Sequence, residues 1–331
     1  MTDQIKVSVI GGGAWGTALA CATLRAGSEV SLWARNRQVV ADINEGRGNP
    51  LYLPNVQLDR GVVATDNLAQ SLEGADVVLL VVPSQHMRDV AQKMKHLVKG
   101  KAVAICCKGV ERETGLLMHE VAQQVMPDAD IAILSGPTFA AEVAKGLPTA
   151  VTIASSNELA GQRIINAIAA PTFRTYPTND MVGAEIGGAV KNVLAIACGI
   201  VTGRALGENA RAALVTRGLA EVMRLGEKMG ARHETLMSLC GLGDLTLTCN
   251  SPQSRNMSFG IELGQGKTVD QVLAERRAVT EGVWSASSVM GLANKLGIEM
   301  PICAAVNEIV NGADIDATIQ ALLSRPMPSQ K

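Results

Sequence analysis

In the first half of the chain, short runs of β-branched and aliphatic residues at 7–10, 30–33, 62–65, 77–82, 103–107, 131–134 and 151–154 read as strands. Several are apolar throughout rather than alternating, as strands are when helices cover both faces of a parallel sheet. Positions 14–26, 86–98, 115–126 and 158–169, lying between them, carry helical spacing. Strand and helix in turn predict a doubly wound, mainly parallel α/β sheet. After Tyr176 strand signals become scarce, and long helical patterns at 184–200 and 209–229 take over. The pattern therefore predicts two domains, an α/β domain over residues 1–180 and an all-α domain over 181–331. Thr268 and Gln271 predict a capping box before a helix at 269–275. Gly230 and Gly297 stand where helix C-caps are expected, and 326–331 reads as a loose tail.

Two domains also suit a length of 331 residues. Thirty basic and 31 acidic residues leave a net charge of −1, which argues against a nucleic-acid binder that works through a basic face. Hydrophobic residues at 47% and charged residues at 18% give a globular balance, and with only 2% aromatics the core must be aliphatic. The best candidates for a membrane span, 77–82 and 193–201, fall well short of the roughly 20 apolar residues needed. The start of the chain enters a strand-like run at once, without a cleavage pattern, so no signal peptide is expected. Seven cysteines show no C-x-x-C spacing, and His86, His96, His119 and His233 form no metal-binding pattern. A cytoplasmic protein with reduced thiols and no metal is expected.

The stretch VIGGGAWGTALA gives the first chemistry. Gly11, Gly13 and Gly16 follow the first strand directly, and Ala14 opens the first helix. In this setting G-x-G-x-x-G reads as the dinucleotide loop of a Rossmann-type domain: one glycine for the tight turn, one for approach to the pyrophosphate, one for helix–strand packing. Free N–H groups at the helix start would face the anion. At the end of the second strand, where an acidic residue would bond the ribose of NAD, SLWARNR offers Arg35 and Arg37. A guanidinium suits a 2′-phosphate, which favours NADP(H) and leaves NAD(H) possible. The alternative is that Arg35 is a solvated surface charge.

Two polar concentrations in the second half stand out. EIGGAVKNVLAIACGIV places Lys191 among small and apolar residues, where a charge must be solvated, paired or aimed at a ligand. It could snorkel from a helix edge, pair with a core carboxylate, or, desolvated near other cations, move a proton. In GLGDLTLTCNSPQSRNMSFGIEL, Ser251 and Pro252 read as N-cap and first residue of a helix running to about Leu263. Ser254, Arg255 and Asn256 in its first turns could bind a second phosphate or serve capping alone.

Taken in order, these stretches resemble one family over nearly the whole chain. They are GGGAWGTALA, VVPSQ, KGVE from Lys108, SGPTFAAEVAKGLPTA from Ser135, GGAVKNVLAIACG, NARAALVTRGLAEVMRLG, GLGDLTLTC, QSRN and VTEG near Glu281. The family is the bacterial NAD(P)-dependent glycerol-3-phosphate dehydrogenases. The resemblance implies reversible reduction of dihydroxyacetone phosphate to sn-glycerol 3-phosphate, feeding phospholipid synthesis. It implies Lys191 as general acid, and as base in reverse, Lys108 touching substrate and cofactor, and Asp244 holding substrate. Gly136 and Thr138 would line the same site, and Ser254, Arg255 and Asn256 would surround the substrate phosphate. Trp15, Arg35, Ala140, Arg255, Val279 and Glu281 match cofactor contacts, which puts the site between the domains.

The chain departs from the family pattern at Thr202, where an acidic residue is frequent, and at Cys107, where Ser or Thr is usual; Cys107 is expected buried and inert. Two other readings compete. One is a different two-domain NADP-dependent hydroxy-acid or sugar-acid dehydrogenase, which would have little use for Arg255 and Asn256. The other is a non-enzymatic NADP-binding redox sensor, which would not need Lys108, Lys191 and Asp244 together. The sequence does not fix an oligomeric state; the apolar helices of the second domain are compatible with a homodimer.

Overall fold

The computed structural model describes residues 4–276 and 280–326. Eight strands form one sheet: β1 (Lys6–Ile10), β2 (Glu29–Trp33), β3 (Val62–Thr65), β4 (Val77–Leu80), β5 (Ala102–Ile105), β6 (Asp130–Ser135), β7 (Thr149–Ser155) and β8 (Phe173–Thr178). Their order is β3-β2-β1-β4-β5-β6-β7-β8. Every pair is parallel except β6 with β7. The connections carry α1 (Ala14–Arg25), α2 (Arg37–Asn44), α3 (Leu68–Leu72), α4 (Ser84–Met94), α5 (Met118–Val125), α6 (Ala140–Ala144) and α7 (Glu158–Ile168). Val77, Val78, Leu79 and Leu80 are all fully buried, which explains an apolar run without alternation.

The sequence pattern misses β8. Its residues FRTYPT are mostly exposed or half-exposed and include Pro177, as suits an edge strand whose outer N–H groups need no partner. The chain winds outward from β1 through β2 to β3, then returns to place β4 on the other side of β1. Winding direction therefore reverses beside β1, the place where doubly wound sheets open a ligand crevice.

Beyond the sheet, the described residues are helical: α8 (Met181–Gly203), α9 (Glu208–Lys228), α10 (His233–Leu236), a π-helical turn at Leu239–Gly243, α11 (Asp244–Asn250), α12 (Arg255–Gly264), α13 (Val269–Glu275), α14 (Glu281–Leu296), α15 (Pro301–Val310) and α16 (Ile315–Leu323). Asp180 caps α8 by accepting from Gly183 N at 2.8 Å. At 23 residues α8 is longer than the sequence reading allowed, and by length and composition it could cross a membrane. Its apolar window is instead 89% buried within the protein, as a core helix. It meets α12 glycine to glycine. A Cβ on Gly199 would lie 2.1 Å from Met257 O, and one on Gly260 2.1 Å from Ile196 O. The capping box of Thr268 and Gln271 is present, and Gly297 closes α14 in the left-handed conformation.

Candidate active site

The glycine loop sits at the reversal point. A Cβ on Gly11 would lie 2.7 Å from Val81 O, and one on Gly16 1.8 Å from Gly11 O, so both contacts demand glycine. A Cβ on Gly13 would meet nothing within 4 Å, which leaves that side of the turn open. Gly13 is the N-cap of α1 with no side-chain cap and no acidic residue in the first turn, so the N–H groups at Ala14, Trp15 and Gly16 face outward uncapped. Asn49 pins the loop by donating Nδ2 to Gly12 O and Thr17 Oγ1, at 3.0 and 2.8 Å. A dinucleotide pyrophosphate fits this cradle. Arg35 stands exposed just past β2, and Gly11 N bonds Trp33 O beside it. Arg37 pairs with Asp66 at 2.8 Å, whereas Arg35 has no ion pair among the described residues. Ala140 starts α6, half-buried, next to α1.

Lys108, Asp244 and Lys191 meet at the junction of sheet and helices. Asp244 begins α11 and is 0% exposed. Its Oδ1 accepts from Lys191 Nζ at 2.6 Å, and its Oδ2 is held by Lys108 Nζ. Lys108 also donates to Gly136 O at 3.2 Å, and Lys191 to Thr248 Oγ1 at 2.9 Å. Lys191 is only 8% exposed: it neither snorkels nor meets bulk water, and the reading as partner of a core carboxylate is correct as far as it goes. Burial, opposed by Asp244 and reinforced by the Lys108 charge, lowers the Lys191 ammonium to about 8. Burial works against charge on Asp244 too, but the two ammonium groups outweigh it and hold the carboxyl below its usual range. Two cations on one carboxylate leave a net positive centre. Two of Lys191's three N–H donors are used, and the third has no partner among the described residues.

Gly136 follows β6 where a Cβ would lie 2.9 Å from Val151 Cα, and Thr138 Oγ1 donates to Gly136 O at 3.4 Å. Ser135 Oγ is buried with no hydrogen-bond partner among the described residues, 3.5 Å from where a Cβ on Gly188 would stand. An orphaned hydroxyl beside Lys108 suits a site completed by a ligand.

The helix carrying Ser254 starts later than the sequence suggests. Ser254, not Ser251, is the N-cap, accepting from Met257 N at 3.3 Å, because α11 runs to Asn250 and Ser251 closes it. Arg255 is exposed, and the N–H groups of Arg255 and Asn256 have no intrahelical partner. The Asn256 side chain turns inward: Nδ2 donates to Asn192 Oδ1 and Oδ1 accepts from Gly282 N, both at 2.9 Å. Asn192 Nδ2 reaches Glu281 at 3.5 Å. The first turns of α12 and α14 are thus tied to the residue after Lys191. Val279 lies outside the described residues.

Cys107 is half-buried rather than buried, and burial holds its thiol protonated well above the usual range. Thr202 bonds back to Cys198 O within α8. Sequence reasoning missed Thr248 and Asn192. Thr248 could have been found four residues after Asp244, on the same face of a helix; Asn192, adjacent to Lys191, carries no such signal. Among the described residues no cluster could hold a metal ion.

The chain is similar to known proteins along nearly its whole length. Residues 6–160 match the family model described as NAD-dependent glycerol-3-phosphate dehydrogenase N-terminus, and residues 180–320 match its C-terminus counterpart. The chain is 55% identical, over 98% of each chain, to a Parvibaculum lavamentivorans protein named glycerol-3-phosphate dehydrogenase (NAD(P)+). It is 56% identical to a protein of the same name from Rhodospirillum rubrum, over 97% of this chain and 93% of that one. The crystal structure of glycerol-3-phosphate dehydrogenase from Coxiella burnetii superposes with a TM-score of 0.93 at 40% identity, covering 97% and 99% of the two chains.

Proposed function

Because the chain belongs to the family of NAD(P)-dependent glycerol-3-phosphate dehydrogenases, we propose that it interconverts dihydroxyacetone phosphate and sn-glycerol 3-phosphate with Lys191 as acid and base. Relatives named as glycerol-3-phosphate dehydrogenases favour this reading over the sensor and the hydroxy-acid dehydrogenase. The observation that carries the mechanism is the buried Lys108–Asp244–Lys191 arrangement, with one Lys191 N–H direction unspent.

When bound, the nicotinamide cofactor supplies the hydride for reduction and takes it back in oxidation. Lys191 in its ammonium form donates a proton to the substrate's carbonyl oxygen as negative charge develops there. In oxidation the neutral amine takes the hydroxyl proton. Asp244 fixes the two lysines, and Thr248 Oγ1, whose own hydrogen goes to Asp244 O at 2.6 Å, orients Lys191. Lys108 places a second positive charge on the same oxygen's side and touches substrate and cofactor, and Gly136 and Thr138 line the pocket. The phosphate of the substrate rests on the first turn of α12. Backbone N–H groups of Arg255 and Asn256, the Ser254 hydroxyl and the Arg255 guanidinium receive it.

Gly11, Gly13, Ala14, Trp15 and Gly16 receive the cofactor pyrophosphate, and Arg35 receives a 2′-phosphate, so NADP(H) is preferred over NAD(H). Ala140, Arg255, Val279 and Glu281 complete the cofactor contacts. The product feeds glycerophospholipid synthesis in the cytoplasm, a setting that seven free cysteines fit. The test is loss of NADPH absorbance on adding dihydroxyacetone phosphate, beside NADH and beside unphosphorylated dihydroxyacetone. Rapid oxidation that requires the phosphate is expected; equal rates with and without it would refute the role of α12.

A further inference from the structure

The loop that carries Lys108 is braced along its length. Gly109 takes φ +143°, and a Cβ there would lie 2.8 Å from Ser84 Oγ, so the loop lies directly on the start of α4. From that first turn Gln85 donates Nε2 to Val110 O at 3.0 Å and accepts from Arg112 N at 3.3 Å. One turn on, Arg88 grips Glu111 through two hydrogen bonds of 2.8 Å. Val110 and Leu117 then form a bridge that closes the segment on itself. A loop fixed this way moves as a unit, so a force on Arg112 reaches Lys108 four residues earlier.

Arg112 itself reaches the other domain. Its guanidinium lies over the ring of Trp284 on α14, 4.7 Å from the ring centre. Both side chains are exposed, Trp284 by 43%, so neither serves a core. Arg112 has no ion-pair partner among the described residues. Trp284 stands one turn after Glu281, which faces Asn192, and two residues after Gly282, which Asn256 holds. The contacts therefore close a circuit. It runs from Lys108 through Asp244 to Lys191 and Asn192, on to Glu281 and Trp284, then across to Arg112 and back along the braced loop to Lys108.

We propose that Arg112 and Trp284 are a positioning pair that clasps the two domains beside the catalytic cleft and holds Lys108 in register with Asp244 and Lys191. This rests on the reading of Lys108 as a substrate contact. A cation over an aromatic face at an exposed site is worth a two- to five-fold change in an equilibrium, by order of magnitude.

The test uses the full-length protein with Arg112→Ala, Arg112→Lys, Trp284→Ala and the Arg112→Ala/Trp284→Ala double variant. KM for dihydroxyacetone phosphate is expected to rise about two- to five-fold in each alanine variant, with kcat within twofold. The double variant should be no worse than either single, because both remove one interaction, and Arg112→Lys should restore KM. In ligand-free protein, amide hydrogen exchange across residues 108–116 should quicken by a similar factor in Arg112→Ala. Additive effects of the two alanines, or unchanged KM and exchange, would overturn the clasp. Lys108→Met separates the two ideas: if it leaves KM and kcat unchanged, Lys108 is no substrate contact and the positioning role falls with it, whereas exchange still reads whether the residues hold the loop.

Discussion

At the scale of single residues, the proposed role of Lys191 as acid and base sets an expected response to pH. Burial brings its ammonium to about 8, with Asp244 resisting and Lys108 assisting. Ketone reduction needs the protonated form, so kcat/KM for reduction should be flat below about pH 8 and fall above it. Alcohol oxidation needs the free amine, so its kcat/KM should rise through the same region. Measuring kcat/KM in both directions from pH 6 to 10 checks this, and parallel profiles would remove Lys191 as the proton carrier. Lys191→Ala should lower kcat about 10²–10⁴-fold while cofactor affinity, titrated separately, is largely kept. Arg35→Asp should turn the ratio of kcat/KM values away from NADPH toward NADH; an unchanged ratio would show that Arg35 does not read the phosphate. Lys191 was legible in the sequence because a charge inside an apolar helix has to be accounted for. Asn192 was not, because an amide breaks no local rule, and Thr248 showed only in its spacing of four from Asp244; the folded contacts bring them beside Lys191 and Asn256.

Between elements, the geometry of the site depends on how closely α12 approaches α8. Gly199 and Gly203 face Gly260 and Gly264, and backbone meets backbone where side chains would otherwise stand. This closeness carries the first turn of α12 to Asn192. Gly199→Ala would put a methyl 2.1 Å from Met257 O, so the helices must separate, and a loss of about 1–3 kcal/mol in thermal unfolding is expected, with weaker binding of glycerol 3-phosphate. Gly291 on α14 is the control: a Cβ there meets nothing within 4 Å, so Gly291→Ala should stabilise by about 0.5–1 kcal/mol and leave affinity alone. Equal effects at the two positions would rule out the close crossing. The paired four-residue spacing of these glycines stood in the sequence, but which helix each would meet did not. Ser251 shows the same limit at a boundary. Ser-Pro reads locally as a helix start, yet α11 extends to Asn250 and the cap passes to Ser254.

For the whole molecule, the change from strand to helix patterning near residue 180 was plain, since β8 ends at Thr178 and α8 begins at Met181. The interlocking of the two halves was not, because no periodicity tells that positions 108, 191 and 244 converge. That convergence has a thermodynamic consequence. Lys108 comes from the loop after β5 and Asp244 and Lys191 from helices, so a ligand bound by one half is expected to order groups that the other half's proposed ligand also needs. Lys108 and Arg255 stand on the proposed path of both ligands. Binding of NADP⁺ should then tighten binding of glycerol 3-phosphate by about 5–150-fold, the usual span of coupling between two sites. By linkage, glycerol 3-phosphate must tighten NADP⁺ by the same factor. Calorimetric titration of each ligand with and without the other measures both legs of this square. Equal affinities in all four titrations would mean that the domains bind independently, and the shared carboxylate at Asp244 would then be a fastening between them rather than the point at which one ligand senses the other.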